Sequence, residues 1–187
     1  AKRVEKFEDN ATSTGFTIRL VPGRDYTFVV WADFVNEGTE TALHYDASDL
    51  TDIKLTKNMG DNQPMDESRD AYTVKQPIEN FSAKDSNLNL TLTRPFAKLR
   101  VITTDMNQLY SQLVSATIQY NVPLYTTFNA LTAKPGDPEA NVVKKVDYST
   151  MFYANEVNPR ENGTQTLFAD YFFGAEDDRV MFTMDVK

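Results

Sequence analysis

Residues 16–31 read FTIRLVPGRDYTFVVW, and this stretch predicts the class of fold. Between Phe16 and Leu20, apolar side chains alternate with polar ones, which is the pattern of a strand with one buried face. Pro22 and Gly23 then predict a type II turn, because proline fixes φ and glycine accepts the positive φ that the turn requires. The run that begins at Tyr26 is apolar on both faces, which is typical of a central strand. We therefore expect a β-hairpin at the heart of an N-terminal domain.

Strand patterns continue along the rest of the chain. Weaker ones lie in a polar region, at residues 53–56, 72–74 and 78–81. Clearer alternation or apolar runs follow at residues 88–92, 96–103, 116–122, 142–154, 167–173 and 180–186. Pro95 marks a bend in one long strand, and the Pro-Gly-Asp-Pro sequence at 135–138 predicts a loop. Strands separated by turn signals, without helices between them, predict an all-β protein of antiparallel β-sandwiches with Greek-key connections.

One short helix is predicted, at residues 105–113. Its capping-box spacing and its apolar face come from Asp105, Gln108, Leu109 and Leu113. We expect it to begin the second of two domains, an N-terminal β-sandwich at residues 1–104 and a C-terminal β-sandwich at residues 105–187. Strand patterns still run at both ends of the chain, so we expect the second sandwich to be incomplete and the gene product to be longer.

The composition limits the partners and the chemistry. The formal net charge is −8 and the isoelectric point is about 4.7, so a nucleic acid or an anionic membrane surface would be repelled. The absence of cysteine excludes disulfides, thiol catalysis and cysteine-ligated metals. No apolar run approaches the ~18 residues of a membrane-spanning helix. We therefore expect no nucleic-acid partner.

The sequence lacks a recognisable catalytic or metal-binding motif. His44 is the only histidine, so it has no second nitrogen ligand for zinc, and we interpret it as an inert surface residue. Three groups of acidic residues are candidate calcium sites or solvated loop charges: Asp46, Asp49 and Asp52; Asp61, Asp66, Glu67 and Asp70; and Glu176, Asp177 and Asp178. None has the spacing of an EF-hand loop, and no carboxylate pair is singled out for glycoside hydrolysis. We therefore expect no enzyme, no cofactor and no metal.

Exposed aromatic side chains would indicate carbohydrate binding, because sugars stack on aromatic rings. The only tryptophan, Trp31, lies within an apolar strand, where a role in the core competes with one as a sugar platform. Weaker candidates for the same role are Tyr125, Phe152, Tyr153, Tyr171 and Phe172. A glycan-binding surface module therefore remains an alternative function.

Three passages carry a family resemblance. Residues 20–33, residues 92–101 with the sequence LTRPFAKLRV, and residues 166–171 with the sequence TLFADY resemble strands of the fimbrillin-like surface proteins of Bacteroides-type bacteria. The resemblance implies two transthyretin-like sandwich domains, export as a lipoprotein and a place on the cell surface as a pilus subunit or adhesin. It also implies other pilus subunits or surface proteins as partners, with a host protein or a glycan as a possible ligand. This sequence contains no lipobox cysteine, so we expect membrane contact only through a lipid anchor that is absent from this chain.

The last strand is the candidate for assembly with other subunits. A sandwich that lacks a strand exposes unpaired backbone groups above an apolar groove, which a strand of another chain can fill. The alternate apolar side chains of the terminal run are Val180, Phe182, Met184 and Val186. We predict that this run is donated to, or borders, a neighbouring subunit. The alternative is that it closes the second domain of its own chain.

Overall fold

The structure is a computed structural model that describes residues 13–39, 41–82, 87–105, 113–149, 165–174 and 178–187. Its strands are β1 (Tyr26–Asp33), β2 (Tyr45–Asp46), β3 (Ile53–Leu55), β4 (Ala71–Ile78), β5 (Phe96–Thr103), β6 (Ser115–Tyr120), β7 (Leu124–Asn129), β8 (Lys134–Glu139), β9 (Val143–Asp147), β10 (Gln165–Phe173) and β11 (Phe182–Val186). Two short 3-10 helices, η1 (Met59–Asp61) and η2 (Glu67–Arg69), lie between β3 and β4. The prediction of an all-β protein is confirmed.

The described strands form three antiparallel sheets. The largest has six strands in the order β2-β3-β7-β10-β5, with β8 paired to β7. A three-stranded sheet has the order β11-β6-β9, and a two-stranded sheet joins β1 to β4. The six-stranded and three-stranded sheets form a β-sandwich, since their inner faces contribute to one apolar cluster.

The main core lies between these two sheets. On β6, the inward side chains Ala116, Ile118 and Tyr120 are buried, which is the period-two pattern of a strand with one covered face. Phe168 and Phe172 of β10 meet them from the six-stranded sheet. Residues of β5 and β11 pack half-buried around this cluster: Leu99, Val101, Phe182 and Met184.

A second core covers the opposite face of the six-stranded sheet. Phe128 of β7 and Phe173 of β10 stack there with ring centroids 5.4 Å apart. Trp31 of β1 packs edge-on against Tyr45, so the two-stranded sheet contributes to this cluster. β10 is therefore covered on both faces, which explains its nearly continuous apolar sequence.

The predicted N-terminal hairpin is wrong. Residues 16–20 form no strand, and Phe16 is 42% exposed. Among the described strands, β1 pairs instead with β4 alone, in a two-stranded sheet, and not in a central position between two neighbours. The positive φ of Gly23 is confirmed at 72°, but its N–H donates to Phe81 O beyond the end of β4. The turn therefore connects to β4 and not to a preceding strand.

Two further predictions near prolines are wrong. Residues 135–138 belong to β8 and not to a loop. Proline is tolerated there because β8 pairs only with β7 among the described strands, so the missing N–H groups are not required on its other edge. Residues 88–92 form no strand, and only Thr93 makes an isolated bridge, to Thr73.

The sheets do not separate at the predicted domain boundary. β5 lies before residue 105 and β10 after it, yet the two strands pair over most of their length. β3 likewise pairs with β7. The boundary at 104/105 therefore does not divide the strands into two sets of sheets. The predicted helix falls mainly on residues 106–112, which lie outside the described residues.

Candidate functional site

Three charged side chains meet in the interior of the sandwich. Asp170 projects from β10, Lys144 from β9 of the opposite sheet, and Arg69 from η2. Their side chains are 0%, 0% and 2% exposed, respectively. Charges are removed from water only at a large energetic cost, so they require close partners. We call these residues, together with Tyr120 of β6, the buried ionic cluster.

The Asp170 carboxylate is at the centre of this cluster. Its Oδ1 accepts hydrogen bonds from Arg69 Nη1 and from the backbone N–H of Tyr171, the latter at 2.9 Å. Its Oδ2 accepts from the Tyr120 hydroxyl at 2.9 Å and lies 3.6 Å from Lys144 Nζ. The two oxygens therefore have different environments, and both sheets of the sandwich contact the same carboxylate.

Burial changes the proton affinity of the neighbouring groups. Desolvation lowers the pKa of Lys144 to about 8, although Asp170 acts in the opposite direction. The pKa of Tyr120 is raised, first by burial and then by the charge of Asp170, so its hydroxyl remains protonated. The Lys144 ammonium also donates to the backbone carbonyl of Asn62 at 2.8 Å.

Arg69 fastens the segment before β4 to the core. Its Nη2 donates to Tyr171 O at 2.7 Å and lies 3.7 Å from Met59 Sδ. Its Nε is buried and has no hydrogen-bond partner among the described residues. Met65 N, in the same segment, donates to Ala169 O at 2.9 Å. The segment is therefore held against β10 by backbone and side-chain contacts together.

The prediction that His44 lies on the surface is wrong, because its side chain is buried. It is 8% exposed, and its Nε2 lies 2.8 Å from Ser68 Oγ and 3.4 Å from Asp66 Oδ2. Burial lowers the pKa of His44, and Asp66 opposes that effect. A catalytic triad requires the carboxylate on one ring nitrogen and the serine on the other. Here both contact Nε2, so the three residues lack the geometry of a triad.

Two partly exposed ion pairs involve η2 and the residue that follows it. Asp70 accepts from Arg94 Nε at 2.7 Å and from the Tyr72 hydroxyl at 2.7 Å. Burial alone would raise the pKa of Asp70, but the bonds from Arg94 and Tyr72 outweigh it and the pKa is lowered. The guanidinium carbon of Arg94 also lies 5.0 Å from the centroid of the Tyr72 ring. The second ion pair joins Lys98 Nζ to Glu67 Oε2 at 2.6 Å.

The acidic groups that the sequence suggested as calcium sites use local partners. Asp49 Oδ1 accepts from the backbone N–H of Thr51 at 2.8 Å, and Asp52 pairs with Lys54 at 2.8 Å. In the second group, Asp61 of η1 accepts from Asn58 Nδ2 at 3.3 Å, and the other three carboxylates contact Ser68, Lys98 and Arg94. Within the described ranges, no cluster of three or more potential metal-ligating side chains occurs. Glu176 and Asp177 lie outside the described residues, and Asp178 is exposed.

The aromatic candidates for sugar binding pack mainly inside the protein. Trp31 is half-buried, and its indole N–H donates to Asp33 Oδ2 at 2.9 Å. Tyr171 and Phe172 are 2% and 5% exposed. Tyr125 is half-buried at the second core. Phe152 and Tyr153 lie outside the described residues.

The terminal run lies in a sheet of its own chain. Phe182, Met184 and Val186 are in register with Tyr120, Ile118 and Ala116 of β6. The side chains of Val180, Phe182 and Met184 pack half-buried against the main core. Among the described strands, β11 pairs only with β6 and forms one edge of the three-stranded sheet. Exchange of this strand between chains stays a prediction.

The whole chain, residues 1–187, matches the family of unknown function DUF6562. The chain belongs to this family. No curated protein and no solved structure matches the DUF6562 chain. The described part of this DUF6562 protein includes no helix with the length and apolar character needed to cross a membrane.

The buried ionic cluster of this DUF6562 protein is not among the sites that the sequence predicts. One signal was present, because Asp170 is the single charged residue in the otherwise apolar run of β10. Lys144 occupies a buried position in the alternating pattern of β9, which also conflicts with a solvated charge. No local sequence pattern indicates that Arg69 is buried, because its partner Asp170 is 101 residues away in the sequence.

Proposed function

We propose that this DUF6562 protein is a structural cell-surface protein, a fimbrial (pilus) subunit or fimbrillin-like lipoprotein, that acts through contacts with other proteins and not through a reaction. The resemblance in the strand sequences supports this function. The structural observation that best supports this function is the edge strand β11, whose outer side pairs with no other described strand. An edge of this kind is a template for the addition of a strand from another chain.

The side chains of β11 suit such an addition. Phe182 and Met184 are half-buried on the main core, and Val186 is 44% exposed at the end of the strand. A strand added beside β11 would cover these side chains and pair the free backbone groups at the same time. The edge at β8 differs, because Pro135 and Pro138 lie on it and proline cannot donate to a ladder. We therefore assign assembly to the β11 edge.

The proposal is tested by the assembly state of the full-length mature protein. We expect multimers or fibres by size-exclusion chromatography and electron microscopy, and we expect a version that ends before Arg179 to lose them. Because β11 also packs on the core, that deletion alone would not separate assembly from folding.

A matched pair of substitutions makes that separation. Val186→Asp places a charge on the β11 edge, and Val143→Asp places one on β9, at the opposite edge of the same sheet, where Val143 is 40% exposed. We expect Val186→Asp to weaken assembly at least tenfold and Val143→Asp to leave it unchanged, with both proteins folded by circular dichroism. A wild-type protein that stays monomeric, or equal assembly by the two variants, would contradict the proposal.

The alternative is a non-catalytic glycan-binding surface module. The observation that favours it is the partly exposed Tyr72 ring beside Arg94 and Asp70, because an aromatic ring flanked by charged hydrogen-bonding groups suits a sugar. A glycan array with the wild-type protein and a Tyr72→Ala variant tests this function. Binding that is lost in the variant would favour the glycan module over the structural protein.

A further inference from the structure

Two reactive groups lie side by side in the buried ionic cluster, and the proposed function uses neither. Lys144 Nζ is 3.6 Å from Asp170 Oδ2, and both side chains are 0% exposed. We propose that this pair is a site of self-modification, at which Lys144 and Asp170 condense to an isopeptide bond that joins β9 of the three-stranded sheet to β10 of the six-stranded sheet.

The amine is suited to act as a nucleophile. Only an unprotonated lysine has the lone pair needed to attack a carboxyl carbon, and burial lowers the pKa of Lys144 to about 8. The hydrogen bond to Asn62 O, at 2.8 Å, restricts the position of Nζ beside the carboxyl group. Lys144 and Asp170 therefore face one another at 3.6 Å, with both side chains 0% exposed to solvent.

The carboxyl group is held as an electrophile. Negative charge develops on one oxygen when an amine adds to the carboxyl carbon, and donors aimed at that oxygen stabilise it. Asp170 Oδ1 accepts from Arg69 Nη1 and from Tyr171 N–H, so it is the oxygen on which this charge is stabilised. Oδ2 faces Lys144 and accepts from the Tyr120 hydroxyl, which is a proton donor for the departing oxygen.

The reaction is balanced without another reactant. The nitrogen lone pair of Lys144 forms the bond to Asp170 Cγ, and the Cγ–Oδ2 bond breaks with its electron pair on Oδ2. Oδ2 leaves as water with two protons, which both come from the lysine ammonium in the overall conversion of ammonium and carboxylate to amide. Tyr120 gives a proton to Oδ2 and recovers one from the nitrogen, so it is unchanged.

Burial favours the product. The condensation removes one positive and one negative charge from the interior, where a buried charge is costly, and Arg69 is the charge that remains in the cluster. Arg69 still donates to the remaining oxygen, and the new amide N–H replaces the lysine as the donor to Asn62 O.

Mass spectrometry of the denatured wild-type protein tests the proposal. We expect an intact mass below the sequence mass by one water molecule after incubation of the folded protein at neutral pH. Trypsin does not cut after an acylated lysine, so the digest should contain residues 101–145 linked to residues 161–179. An intact mass equal to the sequence mass, or a digest that contains only the separate peptides, would overturn the proposal.

Substitutions test the assignment to these atoms. Lys144→Arg keeps the positive charge but cannot form the bond, so we expect it to retain the full sequence mass, whereas Lys145→Arg on the exposed neighbour should still lose water. Asp170→Asn should lose ammonia instead and give a product identical in mass to wild type. Loss of water in Lys144→Arg would place the dehydration elsewhere and overturn the proposal. If Lys144→Arg does not fold, the linked wild-type peptide still decides the question.

Discussion

Replacement of two phenylalanines by alanine distinguishes the observed fold from the hairpin that the sequence predicts. Phe168 lies in the main core and is 0% exposed, whereas Phe16 lies outside every strand and is 42% exposed. Under the predicted hairpin both side chains would belong to strands with a buried face. The structure places only Phe168 in a closed core.

The expected costs follow from these environments. Phe168→Ala removes the transfer free energy of a buried ring and leaves a cavity, so we expect the free energy of unfolding to fall by about 3–5 kcal/mol. Phe16→Ala removes a ring that is about half in contact with solvent and opens no closed cavity, so we expect a loss of about 1 kcal/mol. The difference of at least about 2 kcal/mol exceeds the error of a denaturant titration.

Urea unfolding measures both variants. Trp31 is the only tryptophan, and its position in the second core makes its fluorescence a probe of folding. Circular dichroism provides a second probe to establish that the transition is two-state. Equal losses of stability for the two variants would refute the exposed position of residues 16–20 and favour a core-facing strand there.

Three further predictions concern the turn, the carboxylates and the histidine. Gly23→Val should lower the free energy of unfolding by about 1 kcal/mol or more, because the φ of Gly23 is +72°, whereas Gly15→Val should be nearly neutral; equal effects would show that backbone strain is not the cause. Calcium or EDTA should change the Tm by no more than about one degree, and a saturable shift would reveal a calcium site. The pKa of His44 is lowered from its usual 6.5, so the unfolded state takes up a proton first as the pH falls, and stability should decrease below about pH 6.5. His44→Gln should reduce that slope in denaturant titrations, and an unchanged slope would assign the dependence to other groups.

Local alternation predicts the strands well where one face of a strand is buried. The bounds of β5 match the predicted strand at residues 96–103, and β6 buries the alternate side chains that the pattern indicated. The same alternation at residues 16–20 led to a wrong prediction, because exposed extended chain can carry the same spacing. β8 was missed for the opposite reason, since proline and glycine usually mark loops.

Pairing and site geometry depend on contacts between distant residues. No local signal shows that β1 pairs with β4, or that β5 and β10 share a sheet. The cluster around Asp170 combines side chains from four separate elements, so the sequence can indicate an unusual buried charge but not its partners. The Ser68 and Asp66 contacts of His44 are likewise set by the path of the segment before β4.

The pairing of β5 with β10 has a consequence for the order of folding. Phe96 of β5 is in register with Phe173 of β10, so this part of the six-stranded sheet forms only after most of the chain has been synthesised. Contacts between residues so far apart in sequence require the closure of a long loop, which slows folding. Until β10 emerges from the ribosome, β5 lacks the neighbour that covers its backbone, and the growing chain carries an unpaired strand with an apolar side that includes Leu99 and Val101. We therefore expect nascent chains that end before residue 165 to be substrates for chaperones, and fragments of residues 1–104 to aggregate when expressed alone.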